Sequence, residues 1–262
     1  MADKHLNNVK SESLNFKGGE PGASRHGNFI NYYNFHSADE RIQQLPQGVW
    51  QTNKFDRKYI ALDVGCNAGN LTVGLWNYLA NQLPDVDVNM LGVDLDGVLI
   101  ERARDSNENL SISYKCLDVV SDECDKVLND YLKTFERNKF DVIFCFSITM
   151  WIHLNNGDEG LVEFIKKICS LTDMVVIEPQ PWKCYRNASR RLRKSGNHDD
   201  FPLFKLLKIQ GDMNKWIEDI ICGEDCGFKR LLATNHNTWG RKVLIFQKNH
   251  NNNSIILLSI NK

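Results

Sequence analysis

The sequence has no apolar run approaching the ~18 residues that span a bilayer, and residues 1–20 are polar, without the apolar core of a secretory signal. Neither membrane insertion nor secretion is expected. Charge of one sign is also lacking: 32 basic side chains stand against 33 acidic ones, a formal net charge of −1. No global field marks a nucleic-acid binder, so any polyanion site must be a local patch. A zinc pattern is missing too. The eight cysteines fall at 66, 116, 124, 145, 169, 184, 222 and 226. Cys222 and Cys226 make one C-x-x-x-C pair with no second pair of zinc-site spacing, so no metal is expected. Several cysteines sit in apolar strand-like runs, which suits reduced, buried thiols in the cytosol or nucleus; a cytoplasmic location is the expectation.

What is present is enough apolar content, 42%, for one substantial core in 262 residues. Residues 1–24 and 250–262 read as tails around a domain over 25–249. The apolar stretch 255–260 has no assigned place. Strand patterns fall at 59–64, 88–93, 111–117, 140–146 and 174–178, with helical patterns at 70–82, 97–107, 122–136 and 157–171 between them. Apolar β runs separated by helices argue for a doubly wound α/β domain with a mostly parallel sheet. A helix near 213–222 and strands at 227–233 and 242–248 suit an antiparallel closing hairpin, seven strands in all.

The domain is organised around Tyr59-Ile60-Ala61-Leu62-Asp63-Val64-Gly65-Cys66-Asn67-Ala68-Gly69, a strand running into a glycine turn before a helix. Gly65 and Gly69 allow a tight turn and close approach of a ligand. The G-x-G-x-x-G spacing of a dinucleotide fold is absent. Asp63 before the first glycine would repel a pyrophosphate and suits a cationic ligand. S-adenosylmethionine (SAM), with its ammonium and sulfonium, is such a ligand, and Asn67 is placed to meet its methionine end. An ordinary β-to-α turn would carry the same glycines.

In open parallel sheets the ligand lies across the carboxyl ends of the strands. Asp63, Asp94, Asp118 and Ser147 fall at such ends. A carboxylate at Asp94, with Leu95 beside it, can accept both hydroxyls of a ribose, while Asp96 caps the next helix. Asp118 can accept from an adenine amino group, with Val119 against the ring. Each acid singly could instead be a helix N-cap; three in succession behind a glycine turn point to a cofactor site.

Four further blocks carry a resemblance. Gly27-Asn28-Phe29-x-x-Tyr32-Tyr33, Asp63-Val64-Gly65-Cys66-Asn67, the run from Ser147 through Trp151-Ile152-His153 to Gly160, and Ile177-Glu178-Pro179-Gln180-Pro181-Trp182 occur in order across residues 26–248. In these the chain resembles the Bicoid-interacting-protein family of RNA 5′-phosphate methyltransferases. Its Trp182-Lys183-Cys184-Tyr185-Arg186 and Arg190-Arg191-Leu192-Arg193-Lys194 are similar to the shorter branch that acts on 5′-monophosphates of histidine tRNA and precursor microRNA. The resemblance implies a Rossmann-like class I SAM-dependent fold and contacts to SAM from Tyr32, Arg41, Gly65, Asn67, Asp94, Asp118 and Val119. The capping branch carries Tyr-Arg where this chain has Phe35-His36, a departure that counts against triphosphate recognition.

The residues allow this chemistry. Arg41 offers a planar fork for the SAM carboxylate; pairing with Glu40 is the plainer reading. Tyr32, His153 and Glu178 are the catalytic candidates. His153 and the Glu178–Trp182 segment, Gln180 included, follow adjacent central strands and are expected to face the transferred methyl, His153 as a phosphate donor. Trp182 or Tyr185 would stack on the first base; packing within a lid is the alternative. Lys183, Arg186, Arg190, Arg191, Arg193 and Lys194 form a basic run expected to track RNA phosphates, and a solvated face is the bland reading. The expected partner is RNA with a 5′-monophosphate end, and the protein is expected to be a monomer. A 5′-triphosphate capping enzyme, a methyltransferase of a small acidic molecule, and an idle RNA-binding protein of the same fold are the competing readings.

Overall fold

The computed structural model describes residues 23–50, 57–195 and 201–249. The expected tails, apart from Ala23 and Ser24, and with them the 255–260 stretch, lie outside the described residues.

Seven strands form one sheet in the order β3-β2-β1-β4-β5-β7-β6. They are β1 (Lys58–Val64), β2 (Asp87–Asp94), β3 (Ile112–Cys116), β4 (Val142–Phe146), β5 (Met174–Glu178), β6 (Phe228–Ala233) and β7 (Leu244–Lys248). The first five are parallel, and β7 enters antiparallel between β5 and β6. Strand order reverses between β1 and β4, which pair directly, so a crevice opens above their carboxyl ends. The helices are α1 (Ala38–Gln43), α2 (Asn70–Gln82), α3 (Gly97–Asp105), α4 (Cys124–Lys133), α5 (Thr149–Ser170), α6 (Trp182–Lys194) and α7 (Met213–Cys222).

Period-two alternation decides which face each strand residue joins. Ile60, Leu62 and Val64 enter the core shared with α4, α5, α6 and α7, whereas Tyr59 and Ala61 face Leu71, Leu75 and Leu79 of α2. Leu75 and Leu79 are fully buried, each worth on the order of 1.5–3 kcal/mol of burial. α3 packs Ile100 and Ala103 on Ile112 and Tyr114 of β3.

The elements expected from the sequence are present with one substantive difference. The helical pattern expected from 157 begins at Thr149, directly after β4, and continues through a break at Gly157, where φ is 74° and ψ −173°. Residues expected to form a strand-end loop, His153 among them, are therefore on a helix.

Candidate active site

The crevice above β1, β2 and β4 holds a cleft of about 1120 Å³, its solvent-open mouth included. Gly65 and Asn67 both adopt positive φ, 78° and 52°, which folds the β1–α2 turn back under the cleft. Asp94, at the end of β2, accepts the backbone N–H of Asn67 at 2.9 Å and of Asp96 at 3.0 Å. Burial raises its carboxyl to about 6, against the pull of those N–H donors. Asp96 caps α3 through Val98 N–H at 2.8 Å, as the sequence suggests, and receives Asn28 Nδ2 at 2.7 Å. Leu95, Asp118 and Val119 complete this wall.

The segment before α1 forms the roof. His26, Gly27, Asn28, Tyr32 and Tyr33 line the cleft, and Asn67 Nδ2 donates to Phe29 O at 2.9 Å. Gly27 has φ +77°, and a Cβ there would lie 2.1 Å from Trp151 Nε1, so only glycine lets this strap lie on α5.

The opposite wall is a buried charge cluster. The Arg41 Nε and Nη2 atoms grip Glu178 at 3.2 and 2.8 Å. Arg241, from the β6–β7 connection, reaches the same carboxylate at 3.1 Å, and Asn237 Nδ2 donates to it at 3.0 Å. Burial alone would raise the Glu178 carboxyl, but Arg41 and Arg241 hold it down at about 2. Ser147, at φ 59°, donates to Glu178 at 2.6 Å and accepts from Arg41 at 2.8 Å and from Arg241. Tyr32 Oη accepts from both arginines, at 2.9 and 3.4 Å.

Of the expected site residues, Tyr32, Arg41, Gly65, Asn67, Asp94, Leu95, Asp118, Val119 and Ser147 are brought together around the cleft. Several others are corrected. Asp63 points to the α2 face, because alternation sends residue 63 the same way as 59 and 61. It accepts from Thr72 Oγ1 at 2.7 Å and is raised by burial to about 6. The Arg41 fork is occupied by Glu178 and is not offered whole to a ligand carboxylate. Glu178 itself is fully buried behind Tyr32 and Ser147 and positions them without facing the methyl. His153, also fully buried, is turned by the early start of α5 toward Tyr185 Oη at 3.2 Å and Asp158 at 2.8 Å. Both ring nitrogens are thus engaged, and burial lowers its pKa against the Asp158 contact. It braces α5 against α6, with both ring nitrogens turned to those partners. Gln180 ties the start of α6 to the cleft, accepting from Met150 N–H at 3.2 Å and donating to Ser147 O; it is buried. Tyr185 is likewise buried, while Trp182 packs against it and stacks on Phe204 at 5.5 Å.

On α6, Lys183, Arg186, Arg190 and Arg193 line a shallow groove with Asn187 and Phe204. Arg191 is half-buried and does not line that groove. Sequence reasoning missed Arg241, Trp239 and Asn237, and read His36 only as a departure from the capping branch. The run Thr234–Gly240 reads only as the turn of a hairpin, and nothing in it announces that the chain returns to the strand ends.

The cleft's chemistry suits an adenosyl cofactor. Carboxylates close successive strands, and a glycine turn lies beneath. The sheet order with its antiparallel β7 and this cleft define a class I SAM-dependent methyltransferase, and the chain is one. A family model described as Bicoid-interacting protein 3 (Bin3) matches residues 140–248. The pre-miRNA 5′-monophosphate methyltransferase of Xenopus laevis is 43% identical over 242 residues, 87% of this chain and 94% of its own length. The RNA 5′-monophosphate methyltransferases of Mus musculus and Homo sapiens are 40% and 39% identical over 88% and 87% of this chain, and 85% and 82% of theirs. The chain belongs to the Bin3 family. Among solved structures, the N-methyltransferase NodS of Bradyrhizobium japonicum in complex with S-adenosyl-L-homocysteine superposes with a TM-score of 0.47 at 12% identity, covering 72% of this chain and 78% of its own; at that distance the likeness says nothing about chemistry.

Proposed function

We propose that this protein moves methyl groups from SAM to the 5′-monophosphate of RNA, with precursor microRNA and histidine tRNA as the substrate classes. The observation that carries the reading is the attachment of the α6 basic groove to the cleft through Gln180, which supports an RNA end at the cofactor and an RNA body along the helix. The relatives' substrates agree with it. Asp94 would accept the ribose hydroxyls, Asp118 the adenine amino group, and the Asn67 turn would face the methionine end. When bound, SAM would supply a sulfonium methyl: an oxygen of the 5′-phosphate, mostly dianionic at neutral pH with a second pKa of about 6, would bond to the methyl carbon as the carbon–sulfur bond breaks and S-adenosyl-L-homocysteine leaves as a neutral thioether. No general base is then required. The chain's own part is placement and exclusion of water: Tyr32 and the Trp151 side of the strap close the cleft, and the guanidinium pair supplies positive potential beside it. Eight unbridged cysteines support a reducing, cytoplasmic setting.

Labelled SAM tested against RNA bearing 5′-phosphate, 5′-triphosphate or 5′-hydroxyl ends decides the matter. Methylation of the monophosphate above all is expected. Equal labelling of the hydroxyl end would exclude the phosphate as acceptor, and a preference for triphosphate would move the chain to the capping branch.

A further inference from the structure

Buried polar atoms without hydrogen-bond partners are few in this molecule, and three of the five among the described residues belong to side chains packed together: His36 Nδ1, Trp239 Nε1 and Arg241 Nε. Unsatisfied buried donors are costly and call for a partner. The His36 ring lies between Tyr32 and Trp239, 5.0 Å from each. The Arg41 guanidinium sits over both flanking rings, at 5.3 and 5.5 Å. A Cβ at Gly240 would lie 3.7 Å from Lys183 Nζ, which brings the first turn of α6 to the same place. That turn has no side-chain cap on Pro181, so its N–H groups add positive potential. Against Arg41, Arg241 and Lys183, the acid bound within the cluster is Glu178. The cluster has a surplus of positive charge and unpartnered donors.

We propose that His36, Trp239 and Arg241, with Lys183 at the mouth, cradle the terminal oxyanion of the acceptor's 5′-phosphate; this rests on the function proposed above. Position separates this cradle from the cofactor's own carboxylate. Tyr32 lines the cofactor cleft, whereas His36, Trp239 and Arg241 do not. Tyr32 is therefore the wall between the two sites. Because its oxygen accepts from both arginines, its own O–H remains to donate to an anion beside it. Burial first, then Arg241 and Arg41, lower the His36 pKa to about 3, so the ring is neutral and can present Nδ1–H in one tautomer. Trp239 and His36 are each only half-buried, and Trp239 is flanked by exposed Thr238 and Gly240. Entry of the phosphate requires Trp239 to turn outward on that turn.

The test measures binding of one RNA oligonucleotide, 5′-phosphorylated or 5′-hydroxyl, to protein saturated with S-adenosyl-L-homocysteine. The wild type is expected to prefer the phosphorylated end by about tenfold or more, as one charge-assisted contact or more implies. Trp239→Phe keeps the ring and removes the N–H; Arg241→Lys keeps the charge and removes Nε. Each is expected to cut the preference at least about threefold with unchanged S-adenosyl-L-homocysteine affinity; Trp239→Phe, outside the Glu178 ion pairs, is also expected to leave the unfolding midpoint unchanged. A preference that survives both substitutions overturns the cradle alone. Parallel loss of S-adenosyl-L-homocysteine affinity also overturns it, assigning these donors to the cofactor carboxylate. A wild type indifferent to the 5′ end overturns the cradle and the substrate reading together.

Discussion

The two walls of the cleft are built on opposite electrostatic plans. On the β2–β3 side, Asp94 and Asp118 present carboxylates at consecutive strand ends, and Asp94 is steadied by backbone N–H groups alone. On the β4–β5 side, one carboxylate, Glu178, is enclosed by two guanidiniums, an amide and a hydroxyl. The first wall offers acceptors to a cationic, hydroxyl-rich ligand. The second has its acid fully matched and leaves positive charge over. Backbone donors can hold an acid that faces a ligand because they bring no counter-charge. A buried acid held by arginines is instead neutralised and becomes scaffold. Ser147, just after β4, and Tyr32, in the segment before α1, stand between the two.

The sharpest way to break this contrast is to remove each wall's acid. Glu178→Ala leaves two buried guanidiniums unmatched and is expected to cost about 3–5 kcal/mol, the usual penalty for orphaning a buried charge. Denaturant unfolding measures it, and a variant as stable as the wild type would show that the cluster does not scaffold the wall. Asp94→Ala should leave the protein folded but weaken SAM binding by about 100-fold or more, the value of two charge-assisted hydrogen bonds. Calorimetry showing near-normal affinity in a folded variant would remove Asp94 from the ribose site.

A pH series probes the same difference at intermediate size. The Asp94 carboxyl is raised by burial to about 6, so it is ionised above that value and protonated below it. A ribose acceptor needs the ionised form. SAM affinity should therefore fall as pH drops through 6, by up to about tenfold per unit. Glu178, held at about 2, stays ionised over that whole window, and Asp63, also raised to about 6, is turned to Thr72, so most of the fall should vanish in Asp94→Asn. Persistence of the fall there would point to another group. Gly27→Ala, with its forbidden φ and the Trp151 ring in the way, is expected to lift the strap and raise the KM for SAM several-fold, by about 1–2 kcal/mol of strain; kcat at saturation should change less. The smallest effects belong to α6. Each groove cation replaced by alanine, Arg186, Arg190 or Arg193, should flatten the slope of log RNA affinity against log salt by about 0.7–0.9. Arg191→Ala, off the groove, should change it less, and equal slopes for all four would make the basic run a solvated face.

The first wall was legible in the sequence because it is local. A glycine turn after a strand, and acids at the ends of β2 and β3, are read from spacing, and parallel strands put their ends together by rule. Misreadings on that wall came from a single rotation: Asp63 is one residue from the cleft, and alternation sends its side chain to Thr72. The second wall was only partly legible. Glu178 and Ser147 were placed at strand ends, but their partner Arg241 comes from the β6–β7 turn, 63 residues beyond Glu178. His153 was misassigned because a helix starting at Thr149, and not a loop, carries it away toward Tyr185.

Local pattern alone thus determined the parallel α/β core, the cofactor turn, the carboxylates at strand ends and the basic face of α6. These follow from periodicity and glycine conformation, which act between near neighbours. The tertiary structure decided which charges meet. Arg41, Glu178 and Arg241 converge from α1, β5 and the β6–β7 turn, and burial turns that convergence into a fixed, neutralised pair with positive charge to spare. A sequence does not display this, because the energy of a buried charge depends on everything folded around it.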